Sequence, residues 1–226
     1  MGTARKLIYF DIILAGFAVL ILLSNIAATK LVAIGPLIFD GGAILFPLVY
    51  VFGDVITEVY GYKAARRAIY VGIFASVLAS LTFLAVQHLP SAAEYTNQAA
   101  FESVLGFVPN IVLASLAGLF AGQFINAFVM AKLKIRTKGK KLWLRLGAST
   151  LAGELIDTTI FCVIAFYGIL SGGSLLNYIL VGVCYKVLVE FAVMPITYKL
   201  VRVLKKRENL EVYDKKTDFN PFHFEK

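Results

Sequence analysis

LIYFDIILAGFAVLILLSNIAAT, residues 7–29, is an apolar run of the length that crosses a lipid bilayer as a helix. A span of the hydrocarbon core needs about 20 such residues. The run is longer than the apolar part of a signal peptide and has no convincing cleavage site, so we expect it to persist as a helix. Similar runs follow at 43–60, 66–87, 109–131, 147–169 and 175–203. The sequence therefore predicts an all-α polytopic membrane protein, a bundle of six transmembrane helices.

The composition favours the same class, because 59% of the 226 residues are hydrophobic and 16% are charged. A soluble domain of this size could not bury so much apolar surface, so we expect the lipid bilayer as a partner. The net charge of +8 comes from short basic groups between the apolar runs, which does not favour a nucleic-acid partner. Cys162 and Cys184 lie in apolar runs without CxxC spacing, so we expect no metal site and no cofactor.

The basic residues also predict how the chain is oriented in the membrane. All but two of the 22 Lys and Arg residues fall at the chain ends or in alternate loops, which the positive-inside rule places in the cytoplasm. We therefore expect both termini there. Residues 1–204 are predicted to form the six-helix transmembrane domain, and residues 205–226 a polar, solvated cytoplasmic tail. The segment 31–42 contains Gly35 and Pro36, and we expect a folded connection or a partly re-entrant turn that packs on the protein.

Charged side chains inside the predicted spans are the main functional signal, because each costs at least about 2.5 kcal/mol at the membrane centre. Tyr50, Asp54 and Glu58 recur every fourth residue and share one helix face. The other candidates at membrane depth are three acids, three amides, one lysine and one aromatic residue: Asn25, Gln123, Asn126, Glu154, Asp157, Phe161, Lys186 and Glu190. The sequence predicts that these side chains form a substrate site.

Structural roles compete with this interpretation. Lys186 and Glu190 are four residues apart and could neutralise each other, which is as well supported as a substrate role. Amides in membrane helices also hold helices together, and Gly118-x-x-x-Gly122 is the spacing of a close helix contact. Glu154 and Asp157 have no basic residue within a turn of their own helix, which favours function for them.

A short repeat pairs Gly53-Asp54-Val55-Ile56 with Gly153-Glu154-Leu155-Ile156. A strictly inverted repeat of three helices would place the two copies on opposite sides of the membrane, whereas both fall in the same half. We therefore interpret the match as two helices that bring carboxylates to one site.

Four stretches carry a resemblance to a known family. They are SNIAATK at Ser24–Lys30, FPLVYVFGDVITEVYGYKAARR at Phe46–Arg67, GQFINAFVMAKLK at Gly122–Lys134 and WLRLGASTLAGELIDTTIF at Trp143–Phe161. Together they resemble the vitamin uptake transporter family, in particular its bacterial queuosine precursor transporters. The resemblance implies import of a purine-like small molecule, the cyano or aminomethyl 7-deazaguanine precursor of queuosine, across the bacterial inner membrane for tRNA modification.

The candidate residues suit such a ligand. A carboxylate can accept from the paired N–H donors of a guanine-like edge, and Asp157, Glu154, Asp54 or Glu58 could supply it. An amide or a cation can donate to the ligand carbonyl, and aromatic rings can stack on the heterocycle. The candidate donors are Gln123, Asn126, Asn25 and Lys186, and the candidate rings are Tyr50, Phe52 and Phe161.

Several alternatives stay open at this stage. The chain could be the substrate-binding subunit of an ATP-driven importer, although it contains no Walker motif of its own. An intramembrane enzyme is less favoured, because no GxSxG or HExxH motif is present. Transport could be coupled to protons through at least one of Asp54, Glu58, Glu154 and Asp157, or proceed by facilitated diffusion. The sequence also allows a homo-oligomer.

Overall fold

The computed structural model describes residues 7–34, 37–106, 108–166 and 172–222. The helices are α1 (Phe10–Ala27), α2 (Phe46–Tyr60), α3 (Tyr62–Gln87), α4 (Gln98–Phe101), α5 (Val108–Arg136), α6 (Leu142–Phe166) and α7 (Gly172–Glu208), and the strands are β1 (Leu31–Ile34) and β2 (Leu37–Asp40). A 3-10 turn at Gly41–Ile44 precedes α2, and a π-helical turn at Glu102–Gly106 follows α4.

Five of these helices, α1, α3, α5, α6 and α7, are long and apolar enough to cross a membrane. The prediction of an all-α polytopic membrane protein is therefore confirmed. The predicted spans overlap these helices, although residues 167–169 of the predicted span 147–169 lie outside the described residues and α6 begins earlier, at Leu142. Helices α5 and α7 continue past their predicted ends to Arg136 and Glu208. Polar side chains near these ends find partners inside the protein, which explains why the helices extend beyond the apolar runs.

The remaining predicted span, 43–60, corresponds to α2 and the 3-10 turn before it. Helix α2 has 15 residues and a length of about 22 Å, shorter than a typical membrane span. It packs against α1, α3, α5 and α7, and from Val49 to Tyr60 every residue except Phe52 is buried. The polar stripe of α2 is therefore enclosed by protein instead of facing lipid.

Glycines allow α5 and α6 to approach closely, as the Gly118-x-x-x-Gly122 spacing predicts. A Cβ atom at Gly118 would lie 2.6 Å from Asp157 Oδ1, and one at Gly122 would lie 2.6 Å from Asp157 Cβ. A Cβ atom at Gly153 would lie 2.9 Å from Asn126 Cβ. Larger residues at these positions would push the two helices apart, so the glycines fix the depth at which Asp157 is held.

The connection between α1 and α2 is an antiparallel hairpin in which Leu31 pairs with Asp40 and Ile34 with Leu37. The prediction of a folded connection over 31–42 is confirmed for its described residues, whereas Gly35 and Pro36 lie outside them. That the hairpin packs on the protein stays a prediction. The hairpin lies at one end of the bundle, which we call the hairpin end. The residues just before α1 and the end of α7 meet at the opposite end, where the Glu208 carboxylate accepts from the backbone N–H groups of Ile8 and Tyr9, and we call it the terminal end.

The segment 209–222 differs from the predicted solvated tail, because it folds back onto the terminal end. The Asp214 carboxylate accepts from Tyr62 N at 3.1 Å and so satisfies a free N–H at the start of α3. Arg66 Nη1 donates to Asn220 O at 2.8 Å, and Lys132 Nζ lies 4.2 Å from the centre of the Phe219 ring. These backbone and aromatic contacts explain why a polar sequence packs here. The predicted boundary at residue 204 also falls inside α7, which ends at Glu208.

Candidate functional site

The polar face of α2 organises the interior of the bundle into levels. Phe46, Tyr50, Asp54 and Glu58 follow one another every fourth residue, with a rise of about 6 Å per step. Side chains from α5, α6 and α7 meet this face. We name three levels by their residues, listed in order from the hairpin end: the pocket level (Phe46, Asp157, Phe161, Lys186), the carboxyl level (Asp54, Asn126, Thr150, Glu190) and the ion level (Glu58, Lys134, Arg145, Lys205).

A small, open cavity with about 40 Å³ of space for the centres of water molecules lies at the pocket level. Most of its lining comes from the parts of α1, α2, α5 and α6 that lie toward the hairpin end: Ser24, Asn25, Ala28, Ala43, Phe46, Ser115, Asp157, Phe161 and Lys186. The walls combine two aromatic rings with an amide, hydroxyls, a carboxylate and an ammonium group. Apolar walls with a few convergent polar groups are typical of small-molecule sites.

Lys186 is the electrostatic centre of the pocket level. Its Nζ lies 3.1 Å from Glu154 Oε2, 3.3 Å from Asp157 Oδ2 and 3.1 Å from Thr158 Oγ1. The same ammonium group lies 4.1 Å from the centre of the Phe46 ring, within the range of a cation–π contact. One cation and two carboxylates, if all are charged, leave one negative charge in excess beside the cavity. This cluster can therefore offer both acceptors and a charged donor to a ligand.

Other polar candidates stand beside or behind this cluster. Asn25 lines the cavity and donates through Nδ2 to Ser76 Oγ at 3.3 Å, which links α1 to α3. Tyr50 and Gln123 are buried but are not among the lining residues. The Tyr50 hydroxyl and Gln123 Nε2 find no hydrogen-bond partner within the described part of the chain. Both therefore keep unused polar atoms close to the centre of the bundle.

The carboxyl level contains two acids that approach each other. The side chains of Asp54 on α2 and Glu190 on α7 are buried close enough for each acid to act on the other. Asn126 Nδ2 donates to Asp54 Oδ1 at 2.8 Å, Ser149 Oγ lies 3.5 Å from the same oxygen, and the Thr150 hydroxyl donates to Glu190 Oε1. The donors to both acids are neutral, which distinguishes this level from its neighbours.

The ion level is organised around Glu58, whose side chain is completely buried. Arg145 Nη1 donates to Glu58 Oε2 at 2.6 Å and its Nη2 to Oε1 at 3.2 Å, a bidentate contact. Lys205 Nζ lies 2.5 Å from Glu58 Oε1, and Lys134 Nζ donates to the Glu58 carbonyl oxygen at 2.6 Å. One carboxylate thus joins α2 to α5, α6 and α7.

Glu211, in the segment that follows α7, adds a second carboxylate to the ion level. Its Oε1 lies 3.2 Å from Lys134 Nζ and 2.9 Å from Lys205 Nζ. Partial burial by itself would raise the pKa of Glu211, but the hydrogen bond from Lys205 and the charges of both lysines lower it below its usual value. Glu211 therefore shares with Glu58 the neutralisation of these cations.

Comparison with known proteins shows the family to which this chain belongs. The model of a family described as "Putative vitamin uptake transporter" matches residues 40–200. The chain belongs to the vitamin uptake transporter family. A protein of Bacillus subtilis (strain 168) named "Probable queuosine precursor transporter" is 30% identical over 188 residues, 82% of this chain and 81% of the relative. The "Queuosine precursor transporter" of Escherichia coli (strain K12) is 28% identical over 74% of each chain. No solved structure matches the chain.

The matched range, residues 40–200, contains every residue that defines the three levels except Lys205. Within it, the structure brings the predicted residues Asp157, Phe161 and Lys186 together at the cavity, and Asn25 joins them from α1. Glu154 does not line the cavity but contacts the same Lys186. The predicted grouping of these residues at one place is therefore present in the structure, while their binding role stays a prediction.

Other predicted residues of this family member lie elsewhere. Glu58 belongs to the ion level, and Asp54, Asn126 and Glu190 form the carboxyl level, away from the cavity lining. The short repeat does not unite its acids, because Asp54 contacts Glu190 whereas Glu154 contacts Lys186. In addition, Phe52 packs against Gly16 of α1 and does not line the cavity, so its expected stacking role is not supported.

Sequence reasoning missed Phe46, whose ring contacts Lys186 in the cavity wall. Its position four residues before Tyr50 extends the stripe and could have identified it. It also missed Arg145, Lys134 and Lys205, which resemble ordinary basic residues at the ends of membrane helices. Glu58, an acid near the same membrane edge, could have indicated that these basic side chains turn toward the interior of the protein.

Proposed function

We propose that this protein transports a queuosine precursor, a 7-deazaguanine with a cyano or aminomethyl substituent, across the bacterial inner membrane. The names of its relatives support this substrate class. The observation that carries the proposal is the cavity whose lining includes Asp157, Lys186 and the Phe46 and Phe161 rings. It is a site for a flat heterocycle with donors and an acceptor on one edge.

The chemistry of a guanine-like edge fits this arrangement. Such an edge places a ring N–H and an amino group beside a carbonyl oxygen. A carboxylate accepts from the N–H groups while an ammonium group donates to the carbonyl, and Asp157 Oδ2 lies 3.3 Å from Lys186 Nζ, as adjacent partners require. Phe46 and Phe161 supply aromatic surface for stacking. The substituent at position 7 would then point away from the polar edge.

Uptake by the chain alone tests this proposal. We expect proteoliposomes that contain only this protein to take up labelled 7-cyano-7-deazaguanine or its aminomethyl analogue in a saturable way. Excess unlabelled precursor should suppress the signal, and empty liposomes should show none. Uptake that requires an added ATPase would instead indicate a substrate-binding subunit, and chemical conversion of the precursor would indicate an enzyme. The proposal involves no cofactor and no nucleic acid, and it suits a monomer or a homo-oligomer.

The proposed orientation places the terminal end in the cytoplasm and the hairpin end outside, because the basic residues concentrate at the former. We expect reporters fused after Lys6, within the loop between Lys132 and Arg145 and at the C-terminus to report the cytoplasm. The cavity would then lie toward the outer surface, as suits uptake. An external signal from the central loop would contradict the six-span topology.

The energy source is the last part of the proposal. In this proposal, import is coupled to protons. The alternative is facilitated diffusion, in which consumption of the precursor keeps its internal concentration low. A single charge moved through 100 mV contributes about 2.3 kcal/mol, enough for substantial accumulation. The buried carboxyl groups at membrane depth support the coupled mechanism.

A further inference from the structure

The contact between Asp54 and Glu190 needs a proton. Both side chains are at least nine-tenths buried, and the hydroxyls of two adjacent residues of α6, Ser149 and Thr150, contact Asp54 Oδ1 and Glu190 Oε1 respectively, so the two acids are close neighbours. Within the described part of the chain, Asp54 Oδ2 and Glu190 Oε2 have no donor. Two ionised carboxylates in such a contact repel each other strongly where water is excluded, so one proton shared between them stabilises the pair.

The groups around the pair do not replace that proton. Helix α5 contributes Asn126, and α6 contributes the hydroxyls of Ser149 and Thr150, all of them neutral. The charged neighbours that act on the pair from α2 and α6 are the acids Glu58 and Glu154, which add further negative charge. No ion pair to Asp54 or Glu190 occurs among the residues that the structure describes.

The cations near the pair are engaged by other acids. Lys186, one turn before Glu190 on α7, lies within 3.3 Å of both Glu154 and Asp157. At the other side, Arg145 and Lys205 contact Glu58. The carboxyl level is therefore an acid pair between two levels whose acids contact cations.

We propose that Asp54 and Glu190 together form the proton-binding site of this transporter, separate from the precursor cavity. The proposal rests on the proposed function and assigns the coupling step to one place. It removes Glu58 from that role, because an acid that contacts several cations has little need of a proton.

The helices that carry the pair explain how proton binding is linked to transport. Helix α2 carries Phe46 and Asp54, and α7 carries Lys186 and Glu190, so a shift of α7 against α2 alters both the cavity wall and the carboxyl contact. With the proton bound, the two acids hold the helices together. When the helices separate, the proton leaves to water and both carboxylates ionise. The cycle thus moves one proton for each closing and opening of this contact.

Paired transport measurements test the proposal. In proteoliposomes, an inward gradient of about one pH unit allows about tenfold accumulation per proton carried, because each unit is a tenfold concentration ratio. We expect Glu190→Gln and Asp54→Asn to retain exchange of labelled for unlabelled precursor but to lose accumulation, so that the internal concentration only reaches the external one. The exposed acid Glu94 supplies the control, and Glu94→Gln should accumulate precursor like the unaltered protein.

Two transport results would overturn the proposal. Accumulation by Glu190→Gln at the unaltered level would show that the proton binds elsewhere, and loss of exchange in both folded variants would show that the pair binds precursor. Absence of exchange in the unaltered protein would refute the proposed function instead. The proton site then still has its own readout, the infrared carbonyl band of a protonated buried carboxyl group. This band should weaken in Asp54→Asn/Glu190→Gln relative to Glu94→Gln, and an unchanged band would overturn the assignment.

Discussion

Asp157→Asn and Glu154→Gln are expected to abolish measurable precursor uptake while the protein stays folded and inserted. Both acids contact Lys186, and Asp157 also lines the cavity. An amide keeps the size of the side chain but carries no charge. Only its carbonyl oxygen can accept hydrogen bonds, whereas both oxygens of a carboxylate can. A hydrogen bond to a charged group contributes about 1.5–3 kcal/mol, which corresponds to about 10- to 150-fold weaker binding.

The decisive measurement is initial uptake into proteoliposomes at precursor concentrations below saturation, with size-exclusion profiles to verify folding. Asp11→Asn is a matched control, because it makes the same chemical change at an exposed position near the start of α1. We expect this control to transport normally. Normal transport by both Asp157→Asn and Glu154→Gln would show that the pocket level is not the precursor site.

The polar stripe of α2 shows what sequence reasoning could predict. Period-four spacing placed Tyr50, Asp54 and Glu58 on one helix face, and the structure encloses that face inside the bundle. The prediction succeeds because helical periodicity is a local property of the chain. The choice of the helices that pack against this stripe depends on residues distant in sequence. The partners of these acids could therefore be identified only from the structure.

Lys186 illustrates the missing information. Its nearest acid in sequence at helical spacing is Glu190, which made an internal pair as plausible as a substrate role. In the structure Lys186 contacts Glu154 and Asp157 of α6, whereas Glu190 contacts Asp54 of α2. A four-residue spacing permits a contact of modest energy, and packing between helices overrides it. Because Lys186 contacts acids of α6 instead of Glu190, the acids of the carboxyl level, Asp54 and Glu190, have no cation among the described residues.

The terminal end was predicted least well, for an electrostatic reason. Basic residues there match the positive-inside rule, so Lys134, Arg145 and Lys205 gave no sign of burial. Long basic side chains normally extend toward water, but they turn inward when a buried carboxylate is available. Glu58 supplies that carboxylate, and the segment after α7 covers the result with Glu211.

Glu58→Gln is expected to destabilise the protein strongly, because it leaves the cations of the ion level with one fewer carboxylate. Arg145 and Lys134 are each 1% exposed, so water cannot compensate for the loss. Removal of one partner from a buried ion pair costs about 3–5 kcal/mol. For a chain of this length, that change lowers the unfolding temperature by about 6–20 °C. Thermal unfolding of the purified protein, in the detergent used for purification, measures the shift.

Glu211→Gln provides the matched control, since Glu211 contacts the same Lys134 and Lys205 but keeps 45% of its side chain exposed. Exposed ion pairs contribute about 1 kcal/mol or less, so this variant should unfold within a few degrees of the unaltered protein. A double variant, Glu58→Gln/Arg145→Gln, should lose less stability than the sum of its single changes, because the guanidinium no longer stands unpaired. Equal shifts for Glu58→Gln and Glu211→Gln would contradict a buried ion level that joins the four helices.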